Sequence, residues 1–286
     1  MEHGFTINVD RLELTYEKNE PLQQKLSDIK DELKIDALRL VRENSRYYSH
    51  EFLVLGSDYE ETQGVVERPM GHLHFGCPNP NRQFIYFVFE NASLYSEYLL
   101  ASRFYIEDAL GLEFMRVSKL DVAIDFNFNV VNRFYRVFKN PDYDLIINGV
   151  KVKGIQSVVS DVLHIAGNTT RKRPFARHTP IIKSADGNML MRAYDKGREI
   201  DEESHKDYIR ESAGFKRIYR IEVSLGCHKV IKKVLDRLGL TDGDLYVHLQ
   251  HERTLIDLFR VALNSLVRVS RKRRSMSILE PILSEE

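Results

Sequence analysis

The sequence predicts an α+β fold, a largely antiparallel sheet flanked by helices with a helical C-terminal part. Three observations carry that expectation. Strand-like and helix-like stretches are interleaved without the regular βαβ alternation that a parallel sheet requires. Two segments, Arg116–Phe126 and Arg217–Leu225, alternate with the period of two that marks a strand with unlike faces. From Ile231 onward the apolar residues recur at helical spacing instead. With 286 residues, 43% of them hydrophobic, the chain is long enough for one large domain or two modest ones sharing a core.

Taken in order, Pro21 sits in the first turn of a predicted surface helix carrying Leu22, Leu26, Ile29 and Leu33. Phe84–Phe89 is an unbroken aromatic and β-branched run, the mark of a buried strand, and a helix is expected from about Ser93 to Leu110. In the next strand Leu120, Val122, Ile124 and Phe126 share one face, while Lys119, Asp121, Ala123 and Asp125 share the other. A strand over Asn188–Lys196 follows the Asp186-Gly187 turn, and Arg217–Leu225 follows a loop at Gly214. Ile231, Val234, Leu235 and Leu238 make an amphipathic helix stopped by Gly239, and Thr241-Asp242 opens a long one through Leu266. The expected organisation is an α+β domain over residues 1–226 and a helical extension with a basic tail over 227–286.

Lys+Arg and Asp+Glu both number 42, so net charge makes no case for nucleic acid and any basic surface has to be local. Cys77 and Cys227 are too few for a disulfide scaffold and wrongly spaced for a zinc site, which suits a reducing compartment. The start, MEHGFTINVD, has no basic-then-apolar signal pattern, and no run approaches the ~20 apolar residues of a membrane span. The expectation is a soluble cytoplasmic protein with no membrane partner.

Residues two and four apart on a strand project the same way, so Asp121 and Asp125 stand on one face about 7 Å apart. Two like charges so placed call for a basic partner or a hard divalent cation such as Mg²⁺ or Mn²⁺. A plain solvated face fits the same pattern, and the residues alone leave both open. Glu222 shares a strand face with Arg220, while Tyr219, Ile221 and Val223 point to the apolar side. It reads either as a structural ion pair or as a third carboxylate for an open metal site. Tyr194 lies on the face of Leu190, Arg192 and Lys196, between two cations that favour a phenolate.

Three segments, VSKLDVAIDFNF (Val117–Phe128), MLMRAYDKGRE (Met189–Glu199) and YRIEVSL (Tyr219–Leu225), come in an order and spacing that resembles the replication initiation factor family. These are the Rep_trans-type rolling-circle initiators and related relaxases, which lack the paired-histidine metal motif. The resemblance spans about a hundred residues, with Lys119 where the family usually has arginine. It implies a strongly curved sheet built of two related lobes, often dimeric. It also implies a DNA nicking-closing enzyme that starts replication through a covalent 5′-phosphotyrosine. Carried over, Tyr194 is the nucleophile with Lys196 and Arg220 beside it, and Asp121, Asp125 and Glu222 hold Mg²⁺ or Mn²⁺. The implied partners are origin DNA, a host helicase and a polymerase. A mobilisation relaxase or a non-catalytic origin-binding protein would carry the same motifs.

Between Lys151 and Ser184, seven basic residues oppose Asp161 alone. Arg171, Lys172, Arg173 and Arg177 lie there, just before the Tyr194 strand, and with Arg192 are expected to contact DNA phosphates. Arg268–Arg274 (RVSRKRR) reads equally as a DNA-contacting tail or a disordered end. A rival metal site is His72-Leu73-His74, whose strand spacing puts both imidazoles on one face. The bland alternative is a partly exposed strand.

Overall fold

A computed structural model describes residues 4–60, 64–79, 83–96, 98–152, 163–166 and 179–284. In chain order its elements are β1 (Phe5–Tyr16), α1 (Glu20–Ser27), β2 (Glu32–Ile35), β3 (Leu38–Glu43), β4 (His50–Glu60), β5 (Gly64–Phe75) and β6 (Ile85–Phe89). Then come α2 (Asn91–Leu94), α3 (Leu99–Leu110), β7 (Phe114–Phe126), α4 (Val130–Lys139), β8 (Asp144–Ile147), β9 (Val150–Val152), β10 (Leu163–Ala166) and β11 (Thr179–Lys183). The last are β12 (Met189–Asp195), α5 (Lys196–Glu199), α6 (Tyr208–Ala213), β13 (Tyr219–Leu225), α7 (His228–Leu238), α8 (Asp242–Val247), α9 (Glu252–Leu266), β14 (Val267–Arg271), β15 (Arg274–Ser277) and α10 (Leu279–Ser284). This is the expected α+β class, with a large antiparallel sheet that is not closed and helices flanking it. Among the described residues no helix is long and apolar enough to cross a membrane.

Two compact units divide the chain, one of residues 10–120 and 242–250, the other of residues 1–9, 121–241 and 251–286. In the first, the strand order is β7-β1-β6-β5-β4-β3-β2. Directly opposed residues project to the same side of a sheet, so its ladder can be followed row by row. Leu14, Phe87, Leu73 and Phe52 are opposed in one row and all are buried. The next row, Thr15, Tyr86, His74, Glu51 and Glu43, projects to the other face and is polar.

In the second unit the order is β10-β11-β12-β13-β7-β1, beside a small sheet of order β15-β14-β8-β9. Met191, Ala193, Ile221 and Val223 are buried, α4 and α9 pack on β12 and β13, and α7 packs on β13. The side chain of Asn129 caps α4 by accepting from the Asn132 N–H, and Gly239, with φ +68°, closes α7.

Several expectations change in detail. The helix after Pro21 stops at Ser27, capped at Asp28, and Leu33 instead pairs with Leu40 across β2 and β3. The predicted 93–110 helix is two pieces, α2 and α3. The long helix through Leu266 is broken into α8 and α9, because the two pieces belong to different units. Within its own unit α8 stacks Tyr246 on Phe114 at 4.0 Å, under the Arg103 guanidinium at 3.3 Å. Lys196 opens α5 rather than ending the strand, with the Asp195 side chain capping it. The basic cluster at 268–274 forms neither a tail nor a disordered end. Buried Val267 and Val269 anchor β14 against β8, and Lys272 and Arg273, at φ +48° and +69°, make the tight turn to β15.

Two substitutions probe these units. A Cβ at Gly71 would lie 2.4 Å from the Val88 carbonyl oxygen, so Gly71→Ala should destabilise the fold by about 1–3 kcal/mol. Replacing Lys272-Arg273 by Asn-Gly should stabilise it by about 1 kcal/mol, since left-handed backbone strains ordinary residues. Urea denaturation midpoints check both.

Candidate active site

The site is set by three neighbouring strands, in the order β12-β13-β7. Their alternation hides Met191, Ala193, Ile221 and Val223 on one face. Arg192, Tyr194, Arg220 and Glu222 are left on the other. The antiparallel register sets Arg192 directly opposite Glu222 and Tyr194 opposite Arg220.

Every member of this face has a defined partner. Asp125 and Arg220 are both 0% exposed, and the Arg220 Nε and Nη2 each donate to one Asp125 oxygen at 2.7 Å. Glu222, also fully buried, accepts from Arg192 Nη2 at 2.7 Å on Oε1 and from the Tyr194 hydroxyl at 3.1 Å on Oε2. The Arg192 guanidinium carbon lies 5.3 Å from the Tyr194 ring centre and Lys196 Nζ 5.9 Å. Burial works to lower the Arg192 pKa, but the carboxylates of Glu222 and Asp121 outweigh it and hold the guanidinium firmly protonated. Tyr194 itself is half-buried, and its hydroxyl is oriented by Glu222.

The structure thus brings Tyr194, Arg192 and Glu222 into one hydrogen-bonded set and separates others from it. Arg220, expected beside the reacting group, is buried and forms a bidentate ion pair with Asp125. Lys196 is 5% exposed and ion-paired with Glu199 at 2.5 Å. Asp121 is half-buried and close enough to raise the Arg192 pKa. Among the described residues, Asp121, Asp125 and Glu222 are not a group whose ligand atoms all lie within 4.8 Å of one another, and two of the three are already neutralised by guanidinium groups. As they stand, they do not fit a single shared divalent ion. Arg171, Lys172, Arg173 and Arg177 lie outside the described residues. A groove of about 500 Å³ runs beside the end of β12, lined by the acids Asp195, Asp201 and Glu202 as well as by Arg198, Arg210, Lys216 and Arg217.

A possible metal-binding triad does exist, on the polar face of the other unit. Among the described residues, Glu43, Glu51 and His72 are the one group of three or more such side chains with ligand atoms all within 4.8 Å of one another. His74 adjoins them, stacked on Tyr48 at 4.9 Å, and burial pushes its pKa down. The His-Leu-His spacing was legible in the sequence. Its two glutamates were not, because they come from β3 and β4 and meet the histidines only through strand register.

The Asp125–Arg220 pair makes a direct prediction. Removing either partner leaves an uncompensated buried charge, so Asp125→Ala or Arg220→Ala should cost about 3–5 kcal/mol. Replacing both by leucine should restore most of that loss. Denaturant titration of the three variants measures it.

No protein-family model and no curated protein matches the chain. Among solved structures it is similar to the rolling circle replication initiator protein from Geobacillus stearothermophilus, at 13% sequence identity and a TM-score of 0.47, over 98% of this chain and 96% of that one.

Proposed function

We propose that the chain nicks one strand of DNA at a replication origin and later reseals it, with Tyr194 as the nucleophile. The observation that carries this reading is the Tyr194 hydroxyl donating at 3.1 Å to a buried carboxylate that a half-exposed arginine holds in place. Glu222 is positioned to take the phenolic proton as the tyrosine oxygen attacks phosphorus. A tyrosine–phosphate bond forms, the bond from phosphorus to the 3′ oxygen breaks, and that oxygen leaves with a proton returned by Glu222. The 5′ end stays on Tyr194 and the free 3′-hydroxyl primes a polymerase. Attack by a 3′-hydroxyl on the phosphotyrosine reverses each bond change and closes the strand. Arg192 offsets the charge that grows on the phosphate oxygens, while Lys196, ion-paired with Glu199, packs near the Tyr194 ring.

Mg²⁺ or Mn²⁺ is the cofactor class this reading assigns, on the motif resemblance. No step is assigned to it, because Asp125 is committed to Arg220 and Glu222 to Arg192 and Tyr194. The partners are origin DNA, unpaired at the nick, with a host helicase and polymerase and a second copy of the chain. Exposed Lys216 and Arg217, on the groove beside β12, and the exposed basic turn at Arg271–Arg274 supply phosphate contacts. Arg171, Lys172, Arg173 and Arg177 belong to the same proposal by sequence.

Incubation with a single-stranded origin oligonucleotide, followed by mass spectrometry, should find a DNA adduct on the Tyr194 peptide. Tyr194→Phe should abolish it, and Glu222→Gln should slow cleavage by about 10²–10⁴-fold while oligonucleotide binding persists. Cleavage that survives Tyr194→Phe would refute the assignment.

A further inference from the structure

We infer that Glu43, Glu51 and His72, with His74 beside them, form a binding site for a divalent transition-series cation of the zinc, cobalt or manganese class, which ties β3, β4 and β5 together. This goes beyond the Tyr194 reading and does not depend on it.

The strand register sets Glu43 directly opposite Glu51, an arrangement of like charges that weakens a sheet unless a cation lies between them. Among the described residues, the ion-pair contacts of these two carboxylates are to His72 and His74. His72 Nδ1 lies 3.1 Å from Glu43 Oε2 and 3.9 Å from Glu51 Oε1, and His74 Nδ1 lies 3.7 Å from Glu51 Oε2. Two of these three separations are too long for hydrogen bonds. The two His72 separations bracket the edge of about 3.4 Å that a tetrahedral ion makes between ligands with bonds of about 2.1 Å.

An independent observation points the same way. His74 is 9% exposed, and its Nδ1 is buried without a hydrogen-bond partner. A buried ring nitrogen left unpaired is unfavourable in a folded protein and marks a missing ligand. Its ring is fixed by the Tyr48 stack and lies nearly parallel to that of His72, at 11° with centres 6.1 Å apart. Two imidazoles beside two carboxylates select against Mg²⁺ and Ca²⁺, which prefer all-oxygen sets, and for borderline ions that take nitrogen. Two glutamate charges also balance a divalent ion when the imidazoles are neutral.

The test is Co²⁺ titration of the full chain after chelator treatment, read by visible absorption, with thermal unfolding in the presence and absence of Zn²⁺. The expected result is a saturable, intense ligand-field band that Zn²⁺ displaces, together with a higher melting temperature in Zn²⁺. His72→Ala and the isosteric Glu51→Gln should each weaken binding by at least about tenfold, with circular dichroism checking that they fold. Tyr194→Phe should leave the band unchanged, which separates this site from the nicking centre. If the unaltered chain leaves Co²⁺ with the weak spectrum of the aqueous ion, a simple His72–Glu43 ion pair explains the cluster and the proposal fails. A full band in the folded His72→Ala/Glu51→Gln double variant overturns it equally.

Discussion

The centre of β13 carries two opposite charges on one face, and both are buried. Arg220 is satisfied by Asp125 on the β7 side and Glu222 by Arg192 on the β12 side. This arrangement does more to specify the structure than to stabilise it, since a buried ion pair repays its desolvation only when its geometry is good. A one-residue slip between β12 and β13 would turn the charged set into the helix-covered core. A two-residue slip in one direction would set Arg192 against Arg220. The ion pairs therefore disfavour both slips, and the observed register is the one in which the Tyr194 hydroxyl reaches Glu222.

The geometry around Tyr194 follows from that constraint. A tyrosine ring has freedom at its two side-chain torsions, and the strand alone would only decide which face it occupies. Its hydroxyl is held because Glu222 is itself immobilised, with one oxygen on Arg192 and the other on the phenol. A buried carboxylate supported in this way is a preorganised acceptor, whereas one in water would have to reorient as the proton moved. Asp125 takes no direct part in this set. It neutralises Arg220, which leaves Arg192 as the half-exposed cation beside the phenol.

The polar face of the other unit obeys the same row-by-row rule with a different outcome. Next to the buried row of Leu14, Phe87, Leu73 and Phe52 runs a row in which Glu51 sits between Glu43 and His74. Among the described residues, the ion-pair contacts of its two carboxylates are to imidazoles rather than to guanidinium groups. Two sheet faces of similar composition thus differ in kind, one closed by guanidinium groups and one holding donors suited to a metal.

The sequence by itself determined the fold class, the strands around Asp121, Tyr194 and Glu222, and the faces on which their side chains lie, because these depend on local periodicity. It also determined that His72 and His74 share a face. Only the tertiary structure decided which charges meet. Asp125 and Arg220 are 95 residues apart along the chain, and nothing local distinguishes a carboxylate that will face a guanidinium from one that will face a cation. The ends of helices were poorly legible for a related reason. The apolar pattern from Thr241 to Leu266 is continuous, yet its two halves are claimed by different cores, and competition between cores is settled by packing rather than by propensity.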